Sequence, residues 1–534
     1  MITGGRACRL PARDRRAYDR TMATRSILIV GGGTAGWLTA AYLARFFDIA
    51  NIPRFAITVL ESPEIGIIGV GEGTFPTIRN TLRYIGIDES RFVRSTFATF
   101  KQGIRFDNWV RAPEDGRDDH FLHPFEAPYH AEGHSLVSYW LLQDERTRPS
   151  FAQAMTIQNH VAEAGRAPKG AGEGDFSGPL NYAYHFDAHR VAEVLSEHAR
   201  ALGVQHLQGL MTGCSLDPES GAIAHIATRE HGDLTADLYI DCSGFRAELI
   251  GESLKVPFKP VGDVLFTDRA LSCKLPYEDP GAPLPSYTVA AAHEGGWTWD
   301  IGLSGARGIG CVYSSAHMSD DAAREALARH TCGRSREAET REIPFRAGYR
   351  TRPWEKNCVA VGLSGGFLEP LESTGVLMIE AAAAMIAELF PHYGPADAPA
   401  RRFNELMAAR YDSIVSFLKL HYCLSRREEP FWRDNADPSS IPERLKDLLE
   451  QWRYRPPSRF DFVLDHESFA FFNYQYILYG MEFRTDLTPV REEFPHTREA
   501  QKIFARIRQF GDRAAQDLPA HRALIEQIRT AEPA

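Results

Sequence analysis

The stretch Ser26-Ile-Leu-Ile-Val-Gly-Gly-Gly-Thr-Ala-Gly-Trp37 limits the fold more than any other part of the chain. Ile27 to Val30 are four apolar residues in a row and read as a buried parallel strand. Gly31, Gly33 and Gly36 then fall at G-x-G-x-x-G spacing, with Thr34 and Ala35 between the last two. Leu38 to Phe47, rich in Ala and Leu, reads as the helix behind the turn. Strand, glycines and helix in that order are the context a dinucleotide needs. The glycines permit a tight turn and close backbone approach, and the helix N-terminus faces a pyrophosphate. A second strand, Phe55-Ala-Ile-Thr-Val-Leu60, ends on Glu61, about where an acid holds a ribose hydroxyl. A glycine turn without a ligand would leave the agreement of these four features unexplained.

At 534 residues the chain can bury a large core, and more than one. A net charge of -10, with no basic cluster interleaved with aromatics, argues against a nucleic-acid binder. Eight cysteines lack C-x-x-C spacing, so neither a disulfide framework nor a zinc ribbon is indicated, and a reducing cytoplasm is the expected setting. The apolar run Val376 to Phe390 carries Glu380 and Glu388 and is too short to span a bilayer, so it reads as a core helix and no membrane partner is expected. Residues 1–24 hold six arginines and no apolar h-region, which excludes a secretory signal. They are expected to be a disordered or extraneous extension, with Met22 an alternative start.

Further along, Ile65-Gly-Ile-Ile-Gly-Val-Gly-Glu-Gly-Thr-Phe-Pro76 reads as an irregular glycine-rich loop, either a bend between core elements or a strap along a bound flavin ring. Phe97 to Trp109 alternates from about Phe100 as one half-buried strand, and on the residues alone Lys101 reads as a solvated surface charge. His120, His123, His130 and His134 match no zinc spacing, so no metal is expected there. Residues 150–180 read as a loop, and Tyr184 to His189 as the opening of a helix to Leu202. Leu238-Tyr-Ile-Asp-Cys-Ser-Gly244 reads as a strand whose Asp241 end marks a second flavin contact, or simply an acidic strand end with a turn. Trp297 and Trp299, at i and i+2 of a strand, share a side and read as a cavity wall or as two core residues. Asn357 to Leu363 is a buried strand feeding a glycine-rich loop and the helix from Val376, a ready site for a small anion. From about residue 400 the chain turns helical with mixed charge, and the aromatic run Phe460 to Tyr479 is a candidate lid.

Several of these stretches together resemble one family. They are Gly31-Gly-Gly-Thr-Ala-Gly-Trp37, Gly71-Glu-Gly-Thr-Phe-Pro76, Phe100-Lys-x-x-Ile104, Arg117-Asp-Asp-His-Phe121, His185-Phe-Asp-Ala-His189, Trp297-x-Trp-x-Ile301 and Phe367-Leu-Glu-Pro-Leu-Glu-Ser-Thr-Gly375. In order, from about residue 26 to 435, they resemble the flavin-dependent tryptophan/indole halogenases. The resemblance implies an α/β fold: a Rossmann-type FAD-binding unit of the glutathione-reductase/hydroxylase kind, with mixed sheets and a mostly helical C-terminal cap. The expected division is a core over 25–395 and a substrate cap over 396–534. It also implies an enzyme that uses FADH2, oxygen and chloride or bromide to make hypohalous acid, which travels down a tunnel to an aromatic substrate.

By position, the resemblance makes Lys101 the essential lysine. It can hydrogen-bond hypohalous acid or form a haloamine, and so aim an electrophile that is otherwise hard to direct. Glu372 becomes the carboxylate beside the substrate, suited to a developing cation, and Ser373 the residue that positions it. Thr374 and Gly375 become the halide site. Gly31, Gly33, Thr34, Ala35, Gly36, Glu61, Ser62, Gly73, Met211, Asp241, Leu363 and Val376 become the FAD contacts. Trp297 and Trp299 become the wall that keeps substrate from the flavin, and His123 and Phe125 the pair that sandwiches an indole. Phe469, Phe471 and Phe472 are further candidates for the substrate side.

Two departures matter. The tryptophan motif ends Ile301-Gly302 rather than Ile-Pro, and Phe460 to Asn473 lacks the paired tyrosines that hold an amino-acid head in tryptophan halogenases. Free indole or another electron-rich aromatic is therefore favoured over free tryptophan. No second G-x-G-x-x-G unit is evident, which fits a separate NAD(P)H-dependent flavin reductase as a transient partner. A homodimer stays open. An FAD-dependent aromatic monooxygenase is the main alternative, and it gives no reason for Lys101 together with the tryptophan pair. A flavin-binding carrier without chemistry is a third reading, against which Lys101 and Glu372 argue. Lys101→Ala is expected to keep FAD binding and to abolish halogenated product, as read by flavin titration and by mass spectrometry of the reaction.

Overall fold

The computed structural model describes residues 25–66, 69, 71–114, 118–131, 134–391, 394–463 and 466–531. The N-terminal extension over 1–24, Arg117, and Ile67, Ile68 and Val70 of the glycine-rich loop lie outside the described residues.

The first sheet has six strands in the order Gln205–Gln208, Phe55–Glu61, Arg25–Val30, Leu238–Asp241, Cys358–Ala360, Trp354–Glu355. All its pairings are parallel except the last. Ile27 pairs with Ile57 and Ile29 with Val59, so their side chains bury one face under helix Thr34–Phe46. The glycine turn between strand and helix is there because no side chain fits. A Cβ on Gly36 would lie 1.9 Å from the Gly31 carbonyl oxygen, and Gly31 itself has φ 115°.

The second sheet has seven strands and is mostly antiparallel, running from Arg341–Pro344 through Arg269–Pro276, Ala306–Tyr313, Gly296–Gly302, Thr288–His293 and Gly103–Asp107 to His120–Pro124. A small third sheet sets Ala183–Phe186 between Glu72–Gly73 and Thr99–Lys101. Helices dominate from residue 397 on, led by Asp397–Cys423. No helix among the described residues is long and apolar enough to cross a membrane.

Four expectations change. Tyr184 to Phe186 belong to strand Ala183–Phe186, and the helix opens only at Ala188, capped by Asp187. Phe97 to Trp109 is not one strand: it breaks at Gln102 into Thr99–Lys101 and Gly103–Asp107, which belong to different sheets. The Gln102 side chain, wholly buried, donates to Arg166 O and Ser286 Oγ, both at 2.8 Å, and holds the crossover. Residues 150–180 begin with two helices, Phe151–Met155 and Ile157–Glu163, each capped by a hydroxyl side chain. The aromatic run near residue 470 is core and not a lid. Phe469, Tyr474 and Tyr476 are buried, and Phe469 stacks on Phe417 with centroids 4.0 Å apart.

The turn geometry separates two glycines. Gly36→Ala forces a backbone clash, costing about 1–3 kcal/mol, and should lower the unfolding midpoint and FAD affinity together. Gly33 has open space where a Cβ would stand. Gly33→Ala should weaken FAD binding while leaving the midpoint of the flavin-free protein in place, as read by thermal melts with and without FAD.

Candidate active site

A cavity of about 480 Å³ runs from the glycine turn to the start of helix Thr374–Leu389. Gly31, Gly33, Thr34, Ala35, Glu61 and Ser62 line it at the glycine turn, and Met211, Leu363 and Val376 line it too. Gly73, Glu372, Ser373, Thr374 and Gly375 line the far end, with Trp297 and Trp299 as a wall. Gly33 and Gly375 face open space, so the backbone is bare where a dinucleotide would lie. These residues fit FAD.

Two expected flavin contacts do not line the cavity. Gly36 packs against the Gly31 carbonyl. The Asp241 carboxylate accepts from Ser243 Oγ and N and from Leu249 N and Ile250 N, so it builds the turn after its strand. Glu61 lies 2.9 Å from His206 Nε2 and beside Gly32. The tryptophan wall needs a glycine behind it: a Cβ on Gly310 would lie 2.0 Å from the Trp299 ring.

Lys101 is not a surface charge. It is wholly buried, and its Nζ donates to Ser373 Oγ at 2.9 Å and to Thr74 O at 3.2 Å. Nζ also sits 5.4 Å from the centroid of the Phe125 ring. Burial pulls the ammonium down to about 7, with Glu372 pushing back. Burial therefore favours the neutral amine far more than water would. Gly73 leaves room for this contact, since a Cβ there would meet Ser373 Oγ at 2.7 Å and Lys101 Nζ at 3.2 Å.

Glu372 is 2% exposed and sits in a left-handed conformation, φ 63°. Its Oε1 accepts from His123 Nδ1 at 2.8 Å and from His421 Nε2 at 3.0 Å, while its buried Oε2 has no hydrogen-bond partner. The second nitrogen of each ring also faces an oxygen, Asn473 Oδ1 at 2.9 Å and Phe417 O at 2.8 Å. All four ring nitrogens thus meet acceptors. Burial pushes the Glu372 carboxyl up, but the two imidazoles outweigh it and hold the group well below the usual carboxylate range.

Ser373, φ 55°, occupies the N-cap position of helix Thr374–Leu389, yet its hydroxyl serves Lys101 and makes no cap bond. No side chain caps the first-turn N–H groups of this helix, and Thr374 and Gly375 line the cavity.

Sequence reasoning missed His421 and Asn473. His421 sits in a 27-residue helix whose pattern reads as ordinary core, and Asn473 follows three aromatics that drew attention instead. Phe471 and Phe472 open helix Phe471–Gly480 half-buried and do not line the cavity, so it is Asn473 that this helix sends to Glu372's histidine. Phe469 meets Phe75 edge-on at 5.5 Å, and Phe75 meets Phe125 at 5.6 Å, which closes an aromatic floor beside Lys101. Among the remaining histidines, His120 is exposed near Glu163, and no metal-holding cluster occurs among the described residues.

A family model described as tryptophan halogenase matches residues 26–495. The chain belongs to the tryptophan halogenase family. The tryptophan 6-halogenase of Streptomyces toxytricini is 33% identical over 474 residues, covering 85% of this chain and 88% of that one. The tryptophan 7-halogenase of Lentzea aerocolonigenes is 34% identical over 440 residues, covering 80% and 81%. The crystal structure of tryptophan halogenase from Shewanella frigidimarina superposes with a TM-score of 0.90 at 37% identity, covering 95% of this chain and 98% of that one. The chain is thus a flavin-dependent halogenase by family, and an enzyme.

In this halogenase the histidine pair sets the charge of Glu372. His421→Phe removes one N–H donor, worth about 1–3 kcal/mol to a charged acceptor, so the Glu372 pKa should rise by about one to two pH units. The pH profile of halogenation should gain an acid limb shifted upward by that amount, with FAD affinity unchanged.

Proposed function

We propose that this chain is the halogenating component of a two-component system, acting by electrophilic substitution on an electron-rich aromatic, indole or an indole derivative. The observation that carries the reading is the buried Lys101 amine, bonded to Ser373 at the cavity end and set against Phe125 on the other side.

Reduced FAD, delivered by a separate NAD(P)H-dependent reductase, supplies with oxygen the oxidising equivalents that turn chloride or bromide into hypohalous acid. The protein does the rest. The uncapped N–H groups of Thr374 and Gly375 suit a small anion. Trp297 and Trp299 keep the aromatic guest off the flavin side. Lys101 takes up hypohalous acid by hydrogen bonding, or its amine nitrogen takes the halogen as a haloamine while the O–halogen bond breaks and water leaves, a step that the lowered pKa of the buried amine favours. The free Oε2 of Glu372 is an unpaired acceptor on a held carboxylate, fit to stabilise the cationic ring. His123 and Phe125 are the indole-binding pair of this proposal, His123 being also a donor to Glu372.

Relatives are named for tryptophan, at ring positions 6 and 7. Free indole is preferred here because Phe460 to Asn473 lacks the paired tyrosines that hold an amino-acid head, and the one acid of its second half has partners within the protein. Glu467, nearly buried, accepts from Ser413, Arg444 and Tyr474.

The test is a coupled assay with flavin reductase, NADH, oxygen, bromide, and indole, tryptophan and phenol as separate substrates. Brominated indole in excess over brominated tryptophan is expected by mass spectrometry. A hydroxylated, unbrominated product would favour the monooxygenase reading. Brominated tryptophan in excess would correct the substrate.

A further inference from the structure

The strand that carries Lys101 is three residues long and lies at the edge of its sheet. It pairs with Ala183–Phe186 on one side only. So short an edge strand cannot fix its own position, and every outward backbone group on it needs a partner. Two outward N–H groups flank Lys101. Gln102 N donates to Ser286 O at 2.6 Å, and Phe100 N donates to His521 Nε2 at 3.0 Å.

His521 comes from the far end of the chain, 421 residues away, at the first turn of helix His521–Thr530. Its ring is wholly buried, and its Nδ1 donates to Leu284 O at 3.0 Å. Both anchors of the lysine strand therefore converge on the segment 284–286. His521 N donates to Gly165 O, and Arg522 Nε to Ala282 O, so the helix start is itself tied down. Acceptance at Nε2 requires a neutral ring, and burial pulls this imidazole down to about 4.

We propose that His521 is a positioning residue for the halogenation reaction: its Nε2 ties the Phe100 amide to the anchored start of helix His521–Thr530 and so fixes the depth of Lys101. The clamp rests on the reading of Lys101 given above. It acts on aim, not on flavin chemistry, because His521 does not line the flavin cavity.

Two substitutions divide the two bonds of the ring. Asparagine puts an amide N–H near the place of Nδ1 and can still donate to Leu284 O, but its reach is too short for the Phe100 amide. Glutamine puts an amide oxygen near the place of Nε2 and can still accept from Phe100 N. The full chain is assayed with reductase, NADH, oxygen, bromide and indole, and the readout is bromoindole formed against hypobromite trapped by a bulk scavenger. H521N should lower that ratio about tenfold, the effect of one lost hydrogen bond, with FAD affinity and NADH use unchanged. H521Q should restore the ratio to within about twofold of the parent. Equal ratios in H521N and H521Q, whether both normal or both low, would overturn the clamp, and so would loss of FAD binding in H521N. A parent protein that makes no bromoindole would instead overturn the proposed function, which keeps the two failures apart.

Discussion

A lysine amine wholly buried inside the protein is the constraint on which the site depends. Taking an ammonium out of water costs several kcal/mol, and at Lys101 that cost shows as a pKa pulled down to about 7. What keeps the group in place is a hydroxyl, a carbonyl, an aromatic face and a carboxylate in the same neighbourhood. These come from Ser373, Thr74, Phe125 and Glu372, four separate parts of the chain. The small third sheet, the end of the antiparallel sheet and the turn before helix Thr374–Leu389 must all be in place before the amine has its partners.

The backbone bears a second cost for the same arrangement. Glu372 and Ser373 are consecutive non-glycine residues in the left-handed region, at φ 63° and φ 55°. Each such residue costs about 1–2 kcal/mol. The double turn swings the Glu372 carboxylate toward His123 and His421 and brings Ser373 Oγ to Lys101 in place of capping its own helix. Strain, a missing cap and an unpaired Oε2 thus fall within three residues at the cavity end. Folding alone would not favour that concentration.

How much could be read from the sequence follows from the range of the interactions. The strand, glycine turn and helix at residues 25–46 were legible because each part is fixed by neighbours within a few positions. Thr99–Lys101 and Gly103–Asp107 looked like one strand because alternation does not record which sheet a residue joins; the buried Gln102 side chain decides that through Arg166 and Ser286. Lys101 looked solvated because burial is a property of the assembled fold. Only the resemblance, which carries long-range information, raised it above a surface charge. Asp241 illustrates the opposite error: an acid at a strand end suggested a ligand, whereas four backbone and hydroxyl donors of its own turn use it up. His421 had no local mark at all, since a histidine in a long buried helix follows the same period as its apolar neighbours.

Gly73 shows how tightly the two halves of the site are joined. It lines the flavin cavity, yet the position of its absent Cβ is 3.2 Å from Lys101 Nζ. Any side chain there would stand between cavity and amine and would displace Ser373 Oγ, which is closer still at 2.7 Å. The partition between flavin side and lysine side is therefore one backbone thick at this point. On the cavity side an aromatic ring meets Trp297 and Trp299, and on the lysine side Phe75, Phe125 and Phe469 are packed edge to face. The proposed reaction needs a small oxidant and a large substrate kept apart, and the side chain that Gly73 lacks would intrude on the amine at that boundary.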